Sequence, residues 1–197
     1  MGSKISVRLV YNSKKTNITK ELKNVLDFLI NKYGMINNVQ VSEDKEGKKW
    51  IQRVITNNGE ISSYYEGLGK YFYGSIGMKV EVFNRAGINI VLRVEKAESY
   101  FGFLIDFNES EILSTSSIEE LEMTTNEIIS LIESLRTVSR FDYGFCDHEA
   151  EIEHLLNQEL LEEVYSVVYL SHEISNNGKP KIIRSKWHID GVTARLS

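Results

Sequence analysis

Three stretches of alternation lie close together between Met78 and Phe107, and they restrict the fold more than any other feature of the chain. Met78, Val80 and Val82 alternate, as do Ile88, Ile90, Leu92 and Val94, and then Phe101, Phe103, Ile105 and Phe107. A period of two puts each set on one face of an extended strand. The intervening residues 84–87 and 98–100 are short and turn-forming, so successive strands run antiparallel. The result is a meander with one face buried.

The flanking segments add to this sheet. Ile5, Val7, Leu9 and Tyr11 alternate and read as a strand ended by Asn12-Ser13. Leu22, Val25, Leu26, Leu29 and Tyr33 share one face of a helix over residues 19–33, capped by Thr19 or Asn17 and stopped by Gly34. Val39 and Val41 begin another strand. Residues 50–56 form a strand, and residues 61–65 are either its hairpin partner across Asn57-Asn58-Gly59 or a short helix. Ser117 with Glu120, and Thr124 with Glu127, both have capping-box spacing. The second box opens a helix over residues 125–139 with Ile128, Leu131, Ile132, Leu135 and Val138 as its apolar stripe. A short strand through Phe141, Tyr143 and Phe145 follows. Asp147 then caps a helix carrying Ile152, Leu155 and Leu156. Residues 163–174 and 181–190 form a closing hairpin about Asn176-Asn177-Gly178. The expectation is a single α+β domain over residues 1–197. It has a mainly antiparallel, curved sheet with two principal helices packed on one face.

Composition narrows the functional classes. Cys146 is the one cysteine, so no intrachain disulfide forms, as suits a reducing cytosol. No apolar run reaches the roughly 18 residues of a membrane span, and the N-terminus lacks a secretory h-region. Met1-Gly2-Ser3-Lys4-Ile5-Ser6 matches a myristoylation pattern, but the motif is short and is read as an ordinary start. The chain is therefore expected in the cytoplasm, without a membrane partner.

Charge is partitioned along the chain. Residues 97–178 hold 18 carboxylates against two cations, Arg136 and Arg140. Residues 1–96 hold 16 Lys/Arg against nine acids, and residues 179–197 hold five against one. Glu119, Glu120, Glu122, Glu127 and Glu133 meet no cation along the chain before Arg136, although ordinary helices mix signs at i, i+4. An acidic folded surface repels nucleic acid and attracts basic proteins.

Candidate catalytic groups are less coherent. Asp147-His148-Glu149-Ala150-Glu151-Ile152-Glu153-His154 gathers two imidazoles and four carboxylates. A zinc-protease helix sets its histidines four apart; a spacing of six turns them about 240° apart on a helix. On a strand the same spacing separates them by about 20 Å. Neither geometry chelates one ion, and no cofactor is implied. Cys146 beside Asp147-His148 reads as a buried structural thiol, because adjacent strand residues point to opposite faces. Gly67-Leu68-Gly69-Lys70 lacks the spacing of a phosphate loop. The nearby Tyr64, Tyr65, Tyr71, Phe72 and Tyr73 read as a packed aromatic edge rather than a base-stacking platform.

The strand-helix start, the stretch Ser99-Tyr100-Phe101-Gly102-Phe103-Leu104-Ile105-Asp106-Phe107 and the acidic Phe141-Asp142-Tyr143-Gly144-Phe145-Cys146-Asp147-His148-Glu149 together resemble the immunity proteins of bacterial polymorphic toxin systems. That resemblance implies a small, non-catalytic α+β protein that binds and blocks a toxin domain. Charge then nominates the contacts with a basic partner: Asp106, Glu109, Glu111, Asp142, Asp147, Glu149 and Glu151 for its Lys/Arg, and Tyr143 and Phe145 as desolvated anchors. The chain itself is expected as a monomer or weak homodimer. Two other readings stand beside this one. One is an enzyme using His148, Glu149 and a histidine of the last hairpin. The other is a self-associating module in which residues 181–186 of one copy meet the acidic segment of another.

Overall fold

The alternating stretches become strands of one antiparallel sheet in the computed structural model, which describes residues 3–31, 34–71, 73–115, 117–148, 165–171, 175 and 179–195. Its nine strands are β1 (Lys4–Asn12), β2 (Met35–Ser42), β3 (Trp50–Val54), β4 (Tyr73–Val82), β5 (Arg85–Lys96), β6 (Tyr100–Asn108), β7 (Tyr143–His148), β8 (Val167–Leu170) and β9 (Lys181–Arg184). The order across the sheet is β3-β2-β4-β5-β6-β1-β7-β8-β9, with every neighbouring pair antiparallel. The β4–β5–β6 meander is as the alternation requires. β1 lies between β6 and β7, so the first strand of the chain closes the middle of the sheet.

Helices occupy the longer crossings. α1 (Ile18–Leu29) joins β1 to β2, and Asn17 caps it by accepting from the Lys20 amide at 3.0 Å. α2 (Tyr65–Lys70) and α3 (Glu109–Ile112) are short, and α4 (Ile118–Val138) joins β6 to β7. α4 starts a full two turns before the expected position. Ser117 accepts from the Glu120 amide at 3.2 Å, while the Glu120 carboxylate accepts from the Ser114 and Thr115 amides, each at 2.7 Å. Thr124 and Thr125, expected at a helix start, are instead fully buried inside α4. The Thr125 hydroxyl donates back to the Leu121 carbonyl at 2.6 Å, a bond that leaves the helix intact.

Of the two arrangements open for residues 50–65, the helical one occurs. β3 pairs with β2 and not with residues 61–65. Asn57 caps a 3-10 helix (Asn58–Tyr64), and the Asn58 side chain accepts from the Ile36 amide at 2.8 Å and donates to the Gly34 carbonyl at 2.8 Å. Gly67 and Gly69 let α2 approach closely: a Cβ at either would stand 2.9 Å from Val41 or Ile18. The glycines of this stretch therefore serve packing.

The main hydrophobic cluster takes Ile5, Val7, Leu9 and Tyr11 of β1, Phe101, Phe103, Ile105 and Phe107 of β6, Leu22, Val25 and Leu26 of α1, and Leu121, Ile128, Ile132 and Leu135 of α4. Tyr11 stacks on Phe101 with ring centroids 4.7 Å apart. The opposite parity of the same strands builds a second cluster from Val10, Tyr143, Phe145, Tyr165, Val168 and Leu170. The central strands are thus buried on both faces. The closing hairpin is present as β8 and β9, with Val168 opposite Ile183. Its turn at Asn176-Asn177-Gly178 and the helix expected to carry Ile152, Leu155 and Leu156 lie outside the described residues. Among the described residues no helix is long and apolar enough to cross a membrane.

Candidate partner-binding surface

Sheet register decides which of the expected acids reach the surface. Ser6 stands opposite Asp106 across the β1–β6 pair, and Arg8 and Arg93 lie one step away on the same face. Asp106 is 2% exposed. It accepts from Ser6 Oγ at 2.7 Å, Arg8 Nη1 at 2.8 Å and Arg93 Nε at 2.7 Å. Burial pushes its carboxyl up, but the attraction of Arg8 and the three donors outweigh this and hold it below the usual carboxylate range. Asp106 is therefore the anion of an internal network and has no surface to offer. Tyr143 and Phe145, expected as anchors, are likewise inside at 6% and 0% exposure. Phe145 stacks on Tyr165 with centroids 4.0 Å apart.

The other described acids of that set are half-buried. Glu109 faces His148, with 3.8 Å between Oε2 and Nε2, and His148 Nε2 also contacts Ser3 Oγ. Glu111 accepts from the Asn89 amide at 2.7 Å and from the Asn89 and Asn108 side chains, each at 3.0 Å. Burial raises its carboxyl, and these donors more than offset the rise, leaving a net depression. Asp142 accepts from the Asn12 amide at 2.9 Å. Asp147 accepts from Ser166 Oγ at 3.1 Å and from the His148 amide at 2.8 Å, yet burial dominates and raises its carboxyl. Glu149 and Glu151 lie outside the described residues.

The charge partition along the chain is closed in space by α4. Glu122 accepts from Arg184 Nη1 at 2.8 Å and from Arg195 Nε at 3.2 Å, and His188 Nδ1 lies 3.3 Å from it. The basic C-terminal residues thus meet the acidic segment within one molecule, on a helix rather than on a neighbouring strand. Glu119 and Glu133 on the same helix are exposed. Farther along, α4 borders a 490 Å³ groove with Phe28 and the β4–β5 turn, where Glu81 and Glu127 stand among Phe83, Met123 and Leu131. Arg85 ties that turn to α3, donating to the carbonyls of Glu111 at 3.3 Å and Ile112 at 3.0 Å.

Among the described residues, catalytic groups do not converge: no three His, Cys, Asp or Glu side chains stand close enough to hold a metal ion. Cys146 is fully buried, and burial drives its thiol far above the ordinary value. His188 is 1% exposed against Glu122, whereas His148 belongs to the Ser3–Glu109 contact.

The family model for Immunity protein 64 matches residues 1–195. The chain belongs to that family. As an Immunity protein 64 member it is a toxin-neutralising binding protein, not an enzyme. Its fold is similar to a chain in the 1.75 Å crystal structure of the toxic C-terminal tip of CdiA from Pseudomonas aeruginosa in complex with immune protein. That match has 16% identity, covers 85% of this chain and 95% of that one, and has a TM-score of 0.50. A Pseudomonas aeruginosa T6SS protein matches with 8% identity over 87% of this chain and 59% of that one, at a TM-score of 0.42. No curated protein sequence matches.

Proposed function

We propose that this chain neutralises a toxin domain with a basic face, by occluding it with the carboxylates of residues 97–178 that reach the surface. The observation that carries this reading is α4: its Glu119, Glu127 and Glu133 have no cation within the helix before Arg136, and Glu119 and Glu133 are exposed. Such one-signed surface destabilises a lone helix, and a partner that brings cations relieves the repulsion. Glu109, Glu111, Asp142 and Asp147 extend the surface; Asp106 supports it from inside. In this reading residues 1–197 act as one cytoplasmic domain, with α1 and α4 on one face of the sheet. Their residues share one hydrophobic cluster, which supports that placement.

Long-range charge acts mainly on association. The triple variant Glu109→Lys, Glu119→Lys, Glu133→Lys is therefore expected to bind the toxin domain at least about tenfold more slowly, with a flattened salt dependence. Stopped-flow mixing across a salt series measures both. Association kinetics unchanged by the three reversals would overturn the acidic-face mechanism.

A further inference from the structure

Within that surface the groove between α4 and the β4–β5 turn has the properties of an anchor site. Its apolar wall is Phe28 from α1, Phe83 from the turn, and Met123 and Leu131 from α4, with Asn84, Asn126, Ser130 and Ser134 also in the lining. Met123 is 49% exposed there, unusual for a large apolar side chain next to a folded core. A second hollow of 280 Å³ continues the groove past Phe28 and Phe83 to Asn31. The two titratable groups that line it are both acids, Glu81 and Glu127, and no described lysine or arginine does so. Arg184, which reaches the neighbouring Asn126, is held by Glu122 instead.

Glu127 supplies the decisive detail. Its Oε2 is shielded from solvent and, among the described residues, has no hydrogen-bond partner. A carboxylate oxygen so placed has lost its water without gaining a donor, which costs stability in the unbound protein. Glu127 as a residue is only half-buried and lines the groove, so a cation seated there lies beside the carboxylate and offsets that loss electrostatically. The geometry points to one occupant: a lysine or arginine side chain of the toxin domain, its aliphatic stem on Met123, Leu131 and Phe83 and its cation on Glu127. Long basic side chains combine an apolar stem with a charged head in this order. A basic side chain seated on apolar neighbours beside a partly buried carboxylate is also a common composition of a binding hot spot.

This assignment rests on the toxin-neutralising reading for the identity of the partner, but the site can be tested apart from it. The probe is n-butylguanidinium, an arginine side chain without its backbone, titrated into the purified chain. The four methionine methyls are followed by NMR. The Met123 methyl is expected to shift saturably while that of buried Met78 stays still, and Glu127→Gln is expected to weaken the response about tenfold. No saturable shift at Met123, or an unchanged response in Glu127→Gln, overturns the anchor site. In a second arm the toxin domain captured by the wild-type chain is the probe. Glu127→Gln should raise its dissociation rate about tenfold or more, whereas Glu46→Gln, on the exposed β2–β3 loop outside both the groove and the acidic segment, should leave dissociation unchanged. Equal dissociation from both variants overturns the site and leaves neutralisation standing. Failure of the wild-type chain to bind any toxin domain overturns neutralisation, and the butylguanidinium titration still decides the groove.

Discussion

Asp106 and Glu122 each hold two arginines, yet they sit in opposite surroundings. The Asp106 side chain is 1% exposed and its partner Arg8 is 0% exposed. The Glu122 side chain is 36% exposed, as is its partner Arg184. The first network is locked into the face of the sheet by register; the second pins the C-terminal residues to α4 where water still reaches. Ion pairs of similar length are thus expected to differ several-fold in what their loss costs, because screening and desolvation, not distance, set the difference.

The largest effect belongs to Asp106→Asn. It removes the anion from a buried cation, which typically costs about 3–5 kcal/mol. Urea unfolding at neutral pH measures it; a loss under about 1 kcal/mol would erase the contrast with Glu122. The same residue gives a pH dependence of known sign. Its carboxyl is depressed in the folded protein, so its contribution is fully present above the ordinary carboxylate value and is lost as pH falls through the lower, folded value. Wild-type stability should fall on acidification through that window, and Asp106→Asn should flatten the fall.

Cys146 reports on the same region. It lies in β7 opposite Val7, fully buried, and burial with the adjacent Asp147 charge keeps the thiol protonated. A native sample at pH 8 should resist thiol-specific labelling over hours and react fully once unfolded. Labelling should accelerate about tenfold or more in Asp106→Asn, because opening β1 from β7 is then easier. Equal labelling rates in the two proteins would show that the Asp106 network does not hold these strands together.

Much of this scaffold was legible from periodicity alone. Met78 to Phe107 alternate without ambiguity, and α1 keeps a clean apolar stripe, so β4, β5, β6 and α1 follow from local pattern. What local pattern lacks is strand order. Asp106 reads as a surface acid until β1 is known to pair with β6; only then do Ser6 and Arg8 join Arg93 of β5 on its face. Their shared parity was a usable signal, since Arg8 and Arg93 stand on the face of the sheet opposite Val7, Leu9, Leu92 and Val94, and two cations on one face call for an anion. The start of α4 failed for a related reason. Ser117-x-x-Glu120 and Thr124-x-x-Glu127 have the same spacing, and burial of Thr124 and Thr125 selects the first. Glu127 was visible as an acid without a nearby cation, but the groove around it depends on the β4–β5 turn, some forty residues earlier in the chain.

Glu122→Gln sharpens the opening contrast from the other side. Glu122 and Arg184 are each 36% exposed and Arg195 14%, so the loss should be about 1 kcal/mol and should shrink further in 1 M salt. Amide exchange should rise in residues 184–195, which Glu122 tethers, and stay unchanged in β1 and β6. Exchange rising across the whole sheet would mean that the C-terminal clamp is as deep a support as Asp106.

The smallest effect is at Glu120, seated two residues before Glu122 and bound by local donors. The Ser114 and Thr115 amides and the Thr115 hydroxyl pull its carboxyl down to about 2. The folded value is the lower one, so whatever it contributes is present above the ordinary carboxylate range and vanishes as pH drops toward about 2. Because these donors are all near in sequence and water still reaches the group, global stability should hardly register Glu120→Gln. The readout is instead local: its side-chain carboxyl carbon, followed by NMR, should titrate near 2, and the loop at residues 113–115 should loosen as it does. A midpoint near 4.5 would mean that the loop does not hold the carboxylate, and that Ser117 alone starts α4.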